Sequence, residues 1–253
     1  MILQRADHEI IHGQKLASGD AEYMWGWGSP AGKVRAARRG RFIAQGAHLG
    51  PQSRVLEVGC GTGLFTEMFA HSGAKIVAVD ISPELLDQAQ ERGLPTDQVE
   101  FLAKRFEDCE VHGPFQAVVG SSVLHHLEVE PSLRKIFDLL EPGGYLSFAE
   151  PNMLNPQIMI QKNIPFIKRW LNDSPDETAF VRWRLRALLE KIGFREVTIT
   201  PYDWLHPYTP RPLIGLVNLM GKFVEIIPVL REFSGSLVIA ARRPFATAMR
   251  HAA

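Results

Sequence analysis

The stretch VLEVGCGTGLFTE, residues 55–67, constrains the fold of this chain more than any other stretch. An apolar run is followed at once by closely spaced glycines and then by a segment that favours a helix, so a buried strand, a tight turn and a helix start are predicted. Glycine lets a turn approach a ligand closely because it has no side chain and tolerates positive φ. We therefore expect a ligand-binding turn at the end of the first strand.

Short apolar runs alternate with amphipathic segments from residue 53 to about 150. Strands are predicted for RVLEVG, KIVAVD, VEFLA, FQAVVGSS and YLSFAEP, and helices near 63–72, 83–92 and 131–141. Strands that are apolar throughout are typical of a parallel sheet covered on both faces. We therefore expect an α/β fold with an open, Rossmann-like, mostly parallel sheet.

The rest of the chain is expected to extend this domain rather than to form a second one. Residues 1–50 are predicted to be an N-terminal helical cap, and residues 51–253 the main domain. Within the main domain, insertions at about 152–176 and 201–235 are expected to cover a substrate.

Further elements are predicted from turn residues and periodicity late in the chain. ETAFVRWRLRALLEKIGF favours an amphipathic helix closed by Gly193, and REVTITPY and GSLVIAARRP favour two more strands. EPGG at 141–144 is expected to end one helix and turn into the next strand.

Composition excludes several classes of protein. The chain has 28 basic and 28 acidic side chains, so it lacks the overall positive charge typical of nucleic-acid binding. The local run of Arg35, Arg38, Arg39 and Arg41 is interpreted as a solvated helix face. Cys60 and Cys109 belong to no Cys/His cluster, so neither a disulfide framework nor a metal site is expected.

Targeting signals are not apparent in the sequence. MILQRADHEIIHGQKLASGD has no signal-peptide core, and no window has the uninterrupted apolar run of a membrane-spanning helix. We therefore expect a cytoplasmic protein.

The spacing of the glycines distinguishes between two kinds of cofactor. The dinucleotide fingerprint GxGxxG would place a third glycine at position 64, where this chain has Leu64, and the glycines instead form GxGxG. Glu57 precedes them, where an acid can help to fix an ammonium group. Asp80 ends the second strand, where a carboxylate can accept hydrogen bonds from ribose hydroxyls. A nucleoside ligand with an amino-acid end fits this pattern better than a dinucleotide.

With LEVGCGTG, VAVDIS, FQAVVGSSVLHHL and LLEPGGYLSFAEP in this order, residues 40–150 resemble the class I S-adenosylmethionine-dependent methyltransferases. The resemblance implies a seven-stranded sheet with an antiparallel last strand, and S-adenosyl-L-methionine as cofactor. It implies cofactor contacts at Glu57, Gly59, Cys60, Gly61, Gly63, Asp80, Ile81, Gly120 and Ser121.

One part of the family pattern is changed in this chain. Many relatives place an acid that contacts adenine after the third strand, whereas Lys104 and Arg105 stand near that position here. Phe106 is expected to pack on the adenine, with Glu107 or Asp108 supplying polar contacts.

Methyl transfer to an oxygen, nitrogen or carbon acceptor also requires loss of a proton, and histidine is suited to accept it near neutral pH. SSVLHHLE places His125 and His126 just beyond the fourth strand, where ligands of open α/β sheets bind. Either residue is a candidate base, with a preference for His126, and the alternative is that the pair only shapes the pocket.

Further residues are expected to border the acceptor, each with a structural alternative. Glu150 and Asn152 follow the fifth strand, and Asn152 could equally be a turn residue. Tyr23 and Trp27 in EYMWGWG could close over the ligands or pack against the sheet edge. His206 is expected near the acceptor or as part of loop structure.

The segment PLIGLVNLMGKFVEIIPVL is apolar apart from Asn218, Lys222 and Glu225, which share one helical face. A helix over 213–230 could be a buried lid over a greasy pocket. It could instead lie in a membrane interface, with Lys168, Arg169 and Trp170 as anchors, or form a homodimer contact. The lid and the membrane contact both suggest a small-molecule acceptor with a hydrophobic portion.

The leading hypothesis is therefore methyl transfer to a small molecule, with a peripheral-membrane enzyme acting on a lipid-linked acceptor as one form of it. A rival is an S-adenosylmethionine-binding enzyme of other chemistry, such as cyclisation or decarboxylation, which would have the same motifs. A nicotinamide oxidoreductase is disfavoured by Leu64.

Overall fold

The computed structural model describes residues 5–164, 166–167 and 178–245. The predicted interfacial anchors Lys168, Arg169 and Trp170 lie outside the described residues, as do most residues of the second half of the 152–176 insertion.

A seven-stranded sheet forms the centre of the fold, with the strand order β3-β2-β1-β4-β5-β7-β6. Strand β7 is antiparallel to both of its neighbours, and the other strand pairs are parallel. This is the predicted α/β sheet with its antiparallel strand. The strands are β1 Arg54–Val58, β2 Lys75–Asp80, β3 Val99–Ala103, β4 Phe115–Ser121, β5 Leu140–Pro151, β6 Arg195–Tyr202 and β7 Ser236–Arg242.

The prediction for residues 141–144 was wrong in one respect. EPGG does not precede strand β5 but lies inside it, because Gly143 donates to the carbonyl of Arg243 and Arg243 donates to that of Gly144. These bonds continue the pairing with the chain after β7, and Gly143 accommodates the irregularity with a φ of 90°.

Helices cover both faces of the sheet. Several begin with a side-chain cap followed by proline: Ser29, Ser82 and Asn155 each accept hydrogen bonds from backbone N–H groups of the following turn. The helices are α1 Arg5–Ala17, α2 Ala21–Met24, α3 Pro30–Gly46, α4 Leu64–Ala70, α5 Pro83–Gln90, α6 Val129–Leu139, α7 Pro156–Asn163, α8 Arg182–Ile192, α9 Ile214–Val224 and α10 Pro228–Arg231.

The core consists of two apolar layers, one on each face of the sheet. Phe115, Phe148 and Leu133 belong to the layer beneath α6 and α8. Ile43 and Phe69 belong to the layer beneath α3 and α4. The continuous apolar strands have both faces covered, as their sequence predicts.

The arginine run on α3 is not the solvated face that the sequence suggested. Arg39 is 3% exposed, and the side chains of Arg35 and Arg38 are only 14% and 13% exposed. Arg35 pairs with Asp203 at 2.8 Å, and Arg38 makes a two-pronged contact with Glu225. The three arginines are at i, i+3 and i+4, which is one helix face, and that face turns inward.

Arg39 ties α3 to the sheet. Its guanidinium donates to the hydroxyls of Ser121 and Ser122, each at 2.8 Å, to Ser236 at 3.2 Å and to the carbonyl of Ala149. Buried charge is tolerated where its hydrogen bonds are satisfied, and here the partners come from the ends of three neighbouring strands.

Helix α9 contradicts the prediction of a buried lid. Gly221 is its buried residue, packed against Trp204, whereas Leu216, Leu219 and Phe223 are exposed. The helix ends at Val224, and Pro228 starts the next short helix. Among the described residues, no helix has the length and apolar character needed to cross a bilayer.

We predict that Arg39→Met lowers the free energy of unfolding by about 2–4 kcal/mol, because it leaves several buried acceptors without their donor. Arg41→Met is the matched control, since Arg41 is exposed on the same helix, and it should change stability by no more than about 0.5 kcal/mol. Chemical denaturation followed by circular dichroism measures both. Equal effects of the two substitutions would contradict the structural role of Arg39.

Candidate functional site

A cavity of about 770 Å³ lies at the carboxyl edge of β1, β2 and β4. Its wall includes Val58, Val79 and Ser121 from the ends of these strands. Open α/β sheets bind ligands at this edge, where the strand order reverses direction between β1 and β4.

The glycine turn after β1 forms one side of the cavity through Gly59, Cys60 and Gly61. Gly59 and Gly61 have φ of 68° and 52°, in the left-handed region that favours glycine. A Cβ on Gly59 would lie 2.3 Å from Val123, so no larger residue fits there without a shift. Burial raises the pKa of the Cys60 thiol well above its ordinary value, which favours the neutral thiol.

Asp80 joins the glycine turn to the second strand. Its carboxylate accepts from the backbone N–H of Gly61 at 2.7 Å and from that of Ser82 at 2.9 Å, and it lies on the cavity wall. Ser82, not Asp80, caps α5, because its hydroxyl accepts from Leu85. Burial raises the pKa of Asp80, while the hydrogen bonds from Ser82 and Gly61 oppose that shift.

Aromatic side chains from the N-terminal helices cover the glycine turn. The ring of Trp25 lies 3.0 Å from the position of a Cβ on Gly61, and Trp27 packs edge-on against Phe65. Glu22 holds this cover in place, because it accepts from the hydroxyl of Thr62 at 3.0 Å and pairs with Arg92.

His125, which is paired with a buried carboxylate, lines the same cavity. Nδ1 of His125 lies 2.6 Å from Glu150, whose other oxygen accepts from the backbone N–H groups of Val123 and Leu124. Burial alone would raise the pKa of Glu150, but the charge and hydrogen bond of His125, together with Leu124 and Arg39, outweigh it and hold the pKa below its ordinary value. An ionised Glu150 can only accept, so in the neutral ring Nδ1 carries the proton and Nε2 is the basic nitrogen.

The structure brings most of the predicted site residues to the cavity. The predicted residues that line it are Tyr23, Trp27, Gly59, Cys60, Gly61, Asp80, Ile81, Phe106, Ser121, His125 and His126. The predicted residues that do not line it are Glu57, Gly63, Gly120, Glu150, Asn152 and His206.

Two of the predicted acids are buried away from the cavity wall. Glu57 is 1% exposed beneath the glycine turn, where burial raises its pKa to about 8 against the opposing effect of the Thr66 side chain. Glu150 is fully buried and bonded to His125 and the backbone, so it acts on the cavity through His125.

Gly63 and Gly120, which do not line the cavity, allow neighbouring elements to pack closely. A Cβ on Gly63 would meet Ala89 at 3.0 Å, and one on Gly120 would meet the ring of Phe148 at 2.4 Å. Both positions require close approach of neighbouring elements rather than of a ligand.

Asn152 and His206 make contacts between the two insertions instead of lining the cavity. The side-chain amide of Asn152 donates to the carbonyls of Glu232 and Ser234, both at 2.8 Å. His206 is exposed and lies 3.3 Å from the side chain of Gln157. Asn152 therefore has the turn role that the sequence left open.

Several lining residues were missed from the sequence. These lie mainly in the N-terminal segment and in α7, and they include Leu16, Met24, Trp25, Gln161 and Lys162. Trp25 belongs to the quoted EYMWGWG motif, and its spacing from Tyr23 and Trp27 was the available signal. Among the described residues, no group of three or more His, Cys, Asp or Glu side chains is placed to hold a metal ion.

The strand order, the glycine turn after β1 and the carboxylate at the end of β2 define the class I S-adenosylmethionine-dependent methyltransferase fold. Residues 55–144 match a family model described as a methyltransferase domain. Over these residues the chain therefore matches the methyltransferase domain family.

Similar proteins agree with this assignment. The ubiquinone biosynthesis O-methyltransferase of Xanthomonas oryzae pv. oryzae is 39% identical over 105 residues, which is 40% of this chain and 44% of that protein. The corresponding protein of Xylella fastidiosa is 35% identical over 144 residues, 52% of this chain and 57% of that protein. The chain thus spans about half the length of the curated relatives it matches.

A solved structure supports the fold across nearly the whole chain. The N-methyltransferase NodS from Bradyrhizobium japonicum WM9, in complex with S-adenosyl-L-homocysteine, has a TM-score of 0.64 at 18% identity and covers 94% of this chain and 100% of its own. Likeness at this identity establishes the fold and not the substrate.

We predict that Glu57→Gln makes stability less dependent on pH. The folded pKa of about 8 lies above that of an exposed glutamate, so wild-type stability falls as pH rises from near 4.5 through 8. A glutamine has no proton to lose, so the stability of the variant relative to the wild type should grow over that window, by about 5 kcal/mol above pH 8. Denaturant midpoints of both proteins across this range measure it, and parallel curves would contradict it.

Proposed function

We propose that this chain transfers the methyl group of S-adenosyl-L-methionine to a hydroxyl oxygen of a small molecule with a hydrophobic portion. The observation that carries the proposal is that His125, which is bonded to the buried Glu150, lines the same cavity as the glycine turn and Asp80. A nucleoside-binding wall and an oriented base therefore face one space.

The residues of the wall fit this cofactor. The backbone at Gly59 and Gly61 would follow the methionine part, and the Asp80 carboxylate, already fixed by two N–H groups, would accept from the ribose hydroxyls. Phe106 would pack on the adenine, and Glu107 reaches the wall beside it, which provides an acid after the third strand. Trp25 and Trp27 would exclude water from the methionine end.

The bound cofactor supplies a methyl group already activated by its positive sulfur. The protein must therefore place the acceptor oxygen in line with the carbon–sulfur bond and take up its proton, and placement alone can provide much of the acceleration. His125 is the residue we assign to the proton, rather than His126, because Glu150 orients its ring and fixes the tautomer with a basic Nε2.

The lining of the cavity favours an acceptor with an apolar body. Leu16, Met24 and Trp27 contribute apolar surface, while Gln161 and Tyr208 contribute polar groups. Pockets for small molecules typically combine a mostly apolar lining with a few polar groups that fix orientation. The named relatives, which are O-methyltransferases of ubiquinone biosynthesis, support an oxygen acceptor on a lipophilic molecule.

We predict that Asp80→Asn weakens S-adenosyl-L-homocysteine binding by about 10- to 100-fold, because the amide keeps one acceptor and brings an N–H group towards the backbone donors. Asp87→Asn is the matched control, since Asp87 is exposed on the following helix α5. Isothermal titration with S-adenosyl-L-methionine, S-adenosyl-L-homocysteine and NADH measures the effect. Binding of NADH alone would refute the cofactor assignment.

We predict that His125→Asn lowers kcat by about 100-fold or more with a phenolic or other hydroxyl acceptor, and abolishes the loss of rate at acidic pH. Glu150→Gln should also lower kcat, because an amide that donates to Nδ1 would select the tautomer with a protonated Nε2. Initial rates of S-adenosyl-L-homocysteine release across pH measure both effects.

His126→Asn is the comparison for this prediction, since His126 lines the same cavity. If it abolishes the acidic loss of rate while His125→Asn does not, the base is His126. If tight cofactor binding is found but no acceptor yields S-adenosyl-L-homocysteine, the chemistry is of the non-methylating kind.

A further inference from the structure

The outer surface next to the cavity is unusually apolar. Residues 213–233 expose ten large apolar side chains, and α7 and the residues after it expose four more. Together they form what we call the outer apolar face: Leu213, Leu216, Leu219, Met220, Phe223, Ile226, Ile227, Val229, Leu230, Phe233, Met159, Ile160, Ile164 and Phe166. Ile226 is 74% exposed and Phe166 is 71% exposed. Clusters of this kind on a soluble protein mark an interaction surface.

The two parts of the outer apolar face are joined next to the cavity. The side chain of Asn155, at the start of α7, donates to the carbonyl of Phe233 at 2.8 Å, and Gln157 contacts His206. Helix α7 also contributes Gln161 and Lys162 to the cavity wall. One short helix therefore lies between the cavity and the apolar surface.

Glu225, directly after α9, faces inward, whereas large apolar residues of the helix are exposed. Glu225 accepts from the Arg38 guanidinium and from the backbone N–H of Asp203, at 2.9 Å. Glu232 is held by Arg182 at 2.6 Å. An amphipathic helix that packs its apolar side into the protein would have the reverse orientation.

The surrounding segments carry an excess of positive charge. Residues 152–167 and 204–233 contain two acids, Glu225 and Glu232, against four cations, Lys162, Arg211, Lys222 and Arg231. Glu225 pairs with Arg38, and Glu232 pairs with Arg182 and, at 3.6 Å, with Arg231. Arg211 and Lys222 are exposed beside the apolar side chains. This positive excess stands out in a chain whose formal net charge is zero.

We propose that the outer apolar face binds the surface of an anionic lipid bilayer. Exposed Phe, Leu and Ile side chains would enter the interface while Arg211 and Lys222 meet the anionic headgroups, which is the combination that gives stable peripheral binding. A two-fold dimer through the same face would bring two copies of the positive excess together, which disfavours a second copy as the occupant. Binding there would place the cavity next to the lipid phase, from which a lipophilic acceptor would come. This last step rests on the proposed function.

Co-sedimentation with vesicles tests the proposal without any cofactor or acceptor. The full chain should bind vesicles of phosphatidylcholine mixed with phosphatidylglycerol and bind pure phosphatidylcholine more weakly, and added salt should reduce the binding. The double variant Phe223→Asp with Ile226→Asp should lower the partition coefficient by about tenfold or more. Phe245→Asp is the matched control, because Phe245 is 54% exposed and packs at Gly143, near the amino end of β5.

A second variant, Arg211→Glu with Lys222→Glu, tests the charge alone and should lose the preference for phosphatidylglycerol. Circular dichroism on the same samples shows whether each variant is folded, and titration with S-adenosyl-L-homocysteine separates failure of lipid binding from failure of the cofactor assignment. The proposal is overturned if the wild type does not bind vesicles. It is also overturned if the double variant Phe223→Asp with Ile226→Asp binds them as well as Phe245→Asp and the wild type do. If the wild type is a dimer that does not bind vesicles, and the double variant is a monomer, the occupant of the face is a second copy of this chain and the proposal is overturned.

Discussion

The hydrogen bonds between the glycine turn and the end of β2 are the constraint on which the site depends. Gly59 and Cys60 donate to the carbonyl of Val79, at 2.8 and 3.2 Å, and Gly61 donates to the carboxylate of Asp80. The turn after β1 is therefore held by hydrogen bonds to the end of β2 as well as by its covalent connection to β1. Because β1 and β2 pair in parallel from Arg54 to Val58, both strands end at the same level and the bonds can form. These bonds fix the position of the turn that forms one wall of the cavity.

The charged groups around this edge act as one connected set. Arg39 fixes Ser121 and Ser122 from behind, and it also helps to keep Glu150 ionised. Glu150 in turn holds the backbone of Val123 and the ring of His125. A buried cation on the N-terminal helix α3 thus supports a carboxylate at the end of β5. The N-terminal helices are part of the site in this physical sense, although the methyltransferase match begins only at residue 55.

The sequence predicts the sheet well and the surroundings of the site less well. Apolar strands, glycines and Ser-Pro starts are local signals, and they lead directly to the observed strands, the turn and α5. Glu150, Asn152 and the arginines of α3 are different, because their partners are distant in sequence: Arg39 lies 82 positions from Ser121. From the sequence alone, a carboxylate at a strand end such as Glu150 cannot be assigned to a ligand contact or to a contact with a histidine. The i, i+3 and i+4 spacing of Arg35, Arg38 and Arg39 was a usable signal, because it places three cations on one helix face that can meet acidic partners.

The ion pair between Arg38 and Glu225 has a consequence for the insertion as a whole. It fixes the rotation of α9 about its own axis, because the glutamate must face α3 for the contact to form. The hydrophobic effect favours the opposite rotation, with Leu219 and Phe223 turned towards the protein. The orientation of this helix is thus a balance between one half-buried ion pair and several exposed apolar side chains. The exposure of apolar side chains on this surface therefore depends on the Arg38–Glu225 ion pair, which lies largely shielded from solvent on the inner side of the helix.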